Sequence, residues 1–280
     1  MREWTEGICS ALRYIESHLT DELCIRDAAA QAYMSAFHFQ RMFSALCGIS
    51  VGEYIRNRRM TLAGEELLST KVRVIDISLK YGYDSPDGFN RAFQRFHGIS
   101  PSAARKNGAS LRSFAPIQIE LMMGGGRMME YRIVEKPQFT VVGIKRRFNN
   151  ETSYQEIPEF WLEVIRMEKP PVCGMYGVCM ESDGNEKEFD YLIADNYIPW
   201  EEITAGCEAR VIPASAWAIF PCRGPLPQTL QDVNTRIWKE WLPACKDYRL
   251  AERLNIEMYA PPAERPEDTY SEIWIPVEKI

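Results

Sequence analysis

The chain has 280 residues, 46% of them hydrophobic and 26% charged, with a net charge of −6. That balance excludes a disordered or fibrous chain and suits two globular domains. No apolar run approaches the roughly 18 residues that a membrane span requires, and the opening MREWTEG lacks a signal-peptide core, so a cytoplasmic protein with no membrane partner is expected. Eight cysteines form no CxxC pair and only three histidines accompany them, which points to reduced thiols, no metal and no cofactor.

Leu23 to Ala32 is compatible with a helix, Tyr33 and Met34 make a turn, and Ser35 can cap a helix running to Cys47 and closed by Gly48. Phe39, Met42, Phe43 and Leu46 form its apolar stripe, which leaves Phe37, His38, Gln40 and Arg41 facing outward. Val51 to Leu68 reads as a connecting helix, with Tyr54, Ile55, Leu62, Leu67 and Leu68 on one side and Arg56, Arg58 and Arg59 on the other. Val74 to Tyr81 then predicts a short helix ended by Gly82 in the left-handed position that follows many helices. Asp84 or Ser85 can cap the next helix, Pro86 suits its first turn, and Phe89, Phe93 and Phe96 recur at i, i+4 and i+7. The opposite face carries Asp87, Asn90, Arg91, Gln94 and Arg95, side-chain types that contact phosphates and base edges. Two helix-turn-helix units in tandem, with basic outer faces, point to double-stranded DNA.

Residues 20–106 resemble the DNA-binding domain of the AraC/XylS family, on the runs FHFQRMFSALCGISVGEYIRNRRMTLAGEELL and VIDISLKYGYDSPDGFNRAFQRFHGISPSAARK and the interval between them. The resemblance implies an all-α domain of seven helices, here residues 1–107, whose two recognition helices enter the major groove in two adjacent turns about 34 Å apart. By motif position the family's contacts fall on Phe37, Gln40 and Arg41, then on Pro86, Asp87, Gly88 and Arg91; His38 and Asn90 lie beside them on the same outer faces. Arg41 and Arg91 are the candidates for two-pronged recognition of guanine, and Arg58, Arg59 and Arg95 for phosphates. The relatives carry glutamines and a threonine where this chain has Pro86, Asp87 and Gly88; Asp87 can accept from cytosine N4 or cap its helix. RNA polymerase is a further candidate partner for a regulator of this kind.

Residues 1–110 carry 14 Lys+Arg against 12 Asp+Glu, and the remainder 19 against 27, so only the N-terminal part suits a polyanion. Residues 108–128 read as a linker, with an apolar stretch at 117–123 and a GGG run at 124–126 that acts as a hinge rather than a phosphate loop, since no GK[ST] follows.

From Met129 the texture changes. RIVEKPQFTVVGIKRRF (132–148) is echoed by ARVIPASAWAIFPCRG (209–224), each followed by a helix, 153–166 or 226–241, and then by two strands. Two βαββ-like halves in an α+β domain, residues 129–280, would form a concave sheet able to hold a small apolar molecule. Glu272 shares a strand face with Trp274, and a carboxylate among aromatics neutralises, stays wet or waits for a cation. Trp161, Tyr176 and Trp217 can supply π-faces to the same guest.

This part resembles the GyrI-like effector-binding domain, on the duplication and the terminal SEIWIPV. The resemblance implies a pocket for hydrophobic, often cationic, aromatic compounds, with Glu272 as countercharge. The resulting expectation is a transcription regulator, not an enzyme, that responds to a small lipophilic cationic effector. The alternatives are hydrolysis of small electrophiles by Glu272 with Tyr176, or a protein-binding module.

Overall fold

The capping signals place the helices. In a computed structural model that describes residues 2–106, 109–118, 129–182 and 187–280, seven helices precede residue 106: α1 (Arg2–Ser17), α2 (Ile25–Gln31), α3 (Ala36–Cys47), α4 (Val51–Ser69), α5 (Val74–Lys80), α6 (Pro86–His97) and α7 (Pro101–Ala104). Ser50, Ser85 and Ser100 each accept a hydrogen bond from the backbone N–H three residues on, and proline opens α6 and α7. Gly98 ends α6 at φ 83°, where a side chain would be strained. The chain divides into two compact units: one holds residues 2–36 and 49–122, the other Phe37–Gly48 with Met123–Ile280. The hinge expected at 124–126 and residues 119–123 of the apolar stretch expected at 117–123 lie outside the described residues.

In the helical unit, Met60, Leu67, Ile77, Tyr81, Phe89 and Phe93 form one core under α4, α5 and α6, so the spacing read from sequence does bury one stripe of each helix. Arg58, expected to meet phosphates, is instead buried. It donates to both oxygens of Glu16 at 2.9–3.2 Å and to the Phe114 carbonyl at 2.6 Å, while Tyr54 also donates to Glu16. Arg59 likewise turns inward, to the carbonyls of Leu19 and Asp21.

The second unit is built on one antiparallel sheet. Its strands are β1 (Arg132–Lys136), β2 (Phe139–Asn149), β3 (Tyr176–Glu181), β4 (Glu188–Asn196), β5 (Glu208–Ile212), β6 (Ser215–Arg223), β7 (Tyr248–Leu250), β8 (Leu254–Tyr259) and β9 (Tyr270–Lys279), with α8 (Ser153–Ile165) and α9 (Gln228–Arg236) between them. The order is β1-β6-β9-β8-β3-β4-β2-β5, with β7 on β9. Each repeat is therefore ββαββ, and its first strand crosses over: β1 pairs with β6 of the other repeat, and β5 with β2. A π turn, Ile237–Trp241, extends α9, and the extra residue lets Ile237, Trp238 and Trp241 all point inward.

Candidate functional site

Strand register sorts the candidate side chains by sheet face, because residues paired across antiparallel strands point the same way and neighbours along a strand point opposite ways. Tyr176 pairs with Met258 and Met258 with Glu272; Trp274 pairs with Ile256 and Ile219; Trp217 pairs with Pro276. Tyr176, Trp217, Glu272 and Trp274 thus share one face, and all four are buried. Their rings pack edge to face, Tyr176 on Trp274 at 5.8 Å and Trp217 on Trp274 at 6.1 Å, as part of a closed apolar cluster.

Glu272 already has a cationic partner. Arg132, brought alongside by the crossed-over β1, donates to Oε1 at 2.6 Å; Tyr270 donates to the same oxygen at 2.5 Å, and Trp274 Nε1 to Oε2 at 2.6 Å. Burial alone would raise its pKa, but these three bonds outweigh it and hold the carboxylate below the usual range. Its charge is answered from within the protein. The Tyr176 hydroxyl donates to Asn196 Oδ1 at 3.4 Å rather than to Glu272, its partner in the alternative hydrolytic reading.

The opposite face holds a second carboxylate, Glu257 on β8, that sequence reading passed over. Tyr191 and Tyr259 both donate to its Oε2 at 2.9 Å. Trp161 of α8 donates Nε1 to the Tyr191 hydroxyl at 2.9 Å and stands edge-on to Tyr259 at 4.9 Å. Gly177, paired in register with Glu257, makes the room: a β-carbon there would land on the Tyr191 hydroxyl and 3.0 Å from Glu257 Oε2. Burial, then the adjacent carboxylate, pushes both tyrosines well above their ordinary value, so they remain donors at any working pH. Among the described residues Glu257 forms no ion pair, and its two hydrogen bonds come from neutral hydroxyls. A signal was available: Glu257 sits in the alternating strand LNIEMY two residues from a tyrosine, the same local pattern that drew attention to Glu272.

The same face is where α3 lies. Phe37 packs in the cluster of Phe148, Phe160, Val164, Phe189 and Tyr191, and His38 stands 6.3 Å from Trp238. Arg41 Nη1 donates to Cys179 Sγ at 3.3 Å, with the guanidinium 6.0 Å from the Phe189 ring centre. Burial opposes its charge, yet Cys179, Tyr154, Glu257 and Tyr191 together hold Arg41 above the ordinary arginine value. Phe37, His38 and Gln40, expected on an outward DNA-reading surface, are therefore buried in this conformation, and Arg41 is turned inward. On α6 the expected surface is present: Asp87, Asn90, Arg91 and Arg95 are all exposed, and the helix cap is Ser85, which leaves Asp87 free of that task.

Residues 28–107 match the family described as a helix-turn-helix domain, and residues 132–277 match Cass2, an integron-associated effector binding protein. The activator AarP of Providencia stuartii is 43% identical over 98 residues, 35% of this chain and 73% of the relative. The chain belongs to the AraC family of transcription regulators and carries a GyrI-like effector-binding domain. The transcriptional regulator Rob of Salmonella typhimurium is similar to this AraC-family regulator over 96% of each chain, 26% identical over 289 residues. A transcription regulation protein of Staphylococcus aureus MU50 matches 54% of the regulator and 99% of its own chain at 22% identity, with a TM-score of 0.44. The family implies binding to DNA and to a small-molecule effector. Among the described residues of the regulator, no helix is long and apolar enough to cross a membrane.

Proposed function

We propose that the effector of this regulator is a lipophilic aromatic cation and that its countercharge is Glu257. The supporting observation is that, of the two carboxylates, Glu257 has aromatic walls and no ion pair among the described residues, whereas Glu272 already has Arg132. An organic cation gains there from Coulomb attraction in a partly desolvated site and from the faces of Trp161, Tyr191 and Tyr259. Two neutral donors polarise Glu257 without cancelling its charge, so the site favours charge in the guest over mere hydrophobicity. The function is reversible binding rather than turnover, and the readout is DNA binding in the cytoplasm: Arg91 and Asn90 of α6 meet one major-groove segment and, in a state where α3 has left the sheet, Arg41 and Gln40 meet the adjacent one, with RNA polymerase as the downstream partner.

The test is calorimetric titration of the full chain with tetraphenylphosphonium and with neutral tetraphenylmethane-like analogues made soluble by a short glycol. Glu257→Gln should weaken the cation relative to the neutral compound by about 1–3 kcal/mol, while Glu272→Gln should change neither affinity. Equal losses for cation and neutral analogue in Glu257→Gln would sink the assignment.

A further inference from the structure

We infer that α3 is a built-in occupant of the effector site, with Arg41 standing where the effector's charge belongs, so that effector and DNA control one another by competing for opposite states of this helix. The inference rests on the reading of Glu257 as the effector's countercharge.

Three side chains of one helix carry it. Phe37 fills a gap among Phe148, Phe160 and Phe189; His38 meets Trp238; and Arg41 lies over the Phe189 ring with Nη1 on Cys179 Sγ. An aromatic ring beside a delocalised cation is also the description of a lipophilic aromatic cation. The pocket face thus holds a covalently tethered likeness of its own guest, and Glu257 is among the groups that sustain the Arg41 charge. The same helix face carries the residues that AraC-family resemblance places against DNA. A side chain cannot be buried against the Glu257 face and inserted in a groove at once, so the docked helix has only α6 available for base reading.

Direction follows from mass action. A bound cation excludes Phe37 and Arg41 from the face, the undocked population grows, and α3 becomes available to DNA; the effector is an inducer of DNA binding. Linkage makes this reciprocal: DNA must tighten effector binding by the same factor that effector tightens DNA. Apparent effector affinity in free protein is reduced by the fraction of time that α3 is docked, and removing the internal competitor restores it.

Two titrations on the full chain test this, with tetraphenylphosphonium as cation and a duplex enriched by the full chain from a random pool. Arg41→Ala should bind the cation about five- to 150-fold more tightly than wild type, the range of an ordinary coupling between sites. Glu257→Gln, which leaves α3 untouched, should bind the duplex more tightly than wild type without any cation. Cation affinity within twofold of wild type in Arg41→Ala, together with duplex affinity unchanged in Glu257→Gln, overturns the inference even if the cation binds well. If no cation binds any variant but Glu257→Gln still binds the duplex more tightly, the docking of α3 stands and the choice of effector falls.

Discussion

His38 shows what burial does to a single titratable group on α3. Removal from water, reinforced by the nearby positive charges of Arg41 and Arg253, pushes its pKa down from 6.5 to about 3. A base whose folded value is depressed stays neutral in the folded protein while the unfolded chain takes up a proton below 6.5. Its neutrality therefore costs nothing above that pH, and stability is lost as pH falls from 6.5 towards 3. Between pH 6.5 and 5 the loss attributable to this one group should be about 2 kcal/mol. Denaturant titrations at the two pH values, followed by tryptophan emission, measure it against His38→Leu. Parallel pH profiles for the two proteins would mean that His38 is solvated, and that α3 is not held where it is seen. At the same scale, Cys179 behaves as an inert acceptor: burial pushes its thiol up to about 12, against the opposing pull of Arg41.

Elements were legible where the signal is local, and ambiguous where it depends on a distant partner. Serine before proline, glycine in the left-handed position and phenylalanines at i, i+4 and i+7 are decided within one or two turns, and α5 and α6 follow them closely. The strand alternation also correctly put Glu272 and Trp274 on one face. What it could not supply was Arg132, 140 residues away in the chain and beside Glu272 only because β1 crosses to the other repeat. Arg58 is buried rather than exposed for the same reason. Its partners Glu16 and Phe114 lie 42 and 56 residues off, so a basic helix face read from α4 alone is in part an interior one. This gives the element its own prediction. Arg58 and Glu16 have side-chain exposures of 8% and 26%, and removing one member of such a pair leaves the other charge unmatched. Arg58→Ala should destabilise the helical unit by about 3–5 kcal/mol. The salt dependence of DNA binding by the protein that remains folded should not change. A stable variant with weaker, less salt-sensitive DNA binding would return Arg58 to the phosphate backbone.

At the scale of the molecule, charge is distributed against the task of holding DNA: the acidic excess lies in the half that binds effector, and residues 1–110 exceed neutrality by only two. Association must therefore rest on local contacts by a few exposed arginines, while long-range attraction contributes little beyond a Debye length of about 10 Å at 0.1 M salt. The exposed cations of α6 are Arg91 and Arg95. If they neutralise two phosphates, log K should fall against log salt with a slope near −2, about −0.9 for each contact. Docked α3 adds nothing to that slope. If a saturating lipophilic cation releases α3 from the Glu257 face as proposed, Arg41 and the outer surface of α3 become available to the duplex, and the slope should steepen by about one for each phosphate the helix meets. Filter binding between 50 and 200 mM salt, with and without tetraphenylphosphonium, measures both numbers in one series. A slope that steepens with the cation means that the effector acts by adding contacts to DNA. An affinity that rises at constant slope means that the effector releases α3 for base edges alone, and a slope and affinity both unmoved by bound cation would separate the two functions of the chain altogether.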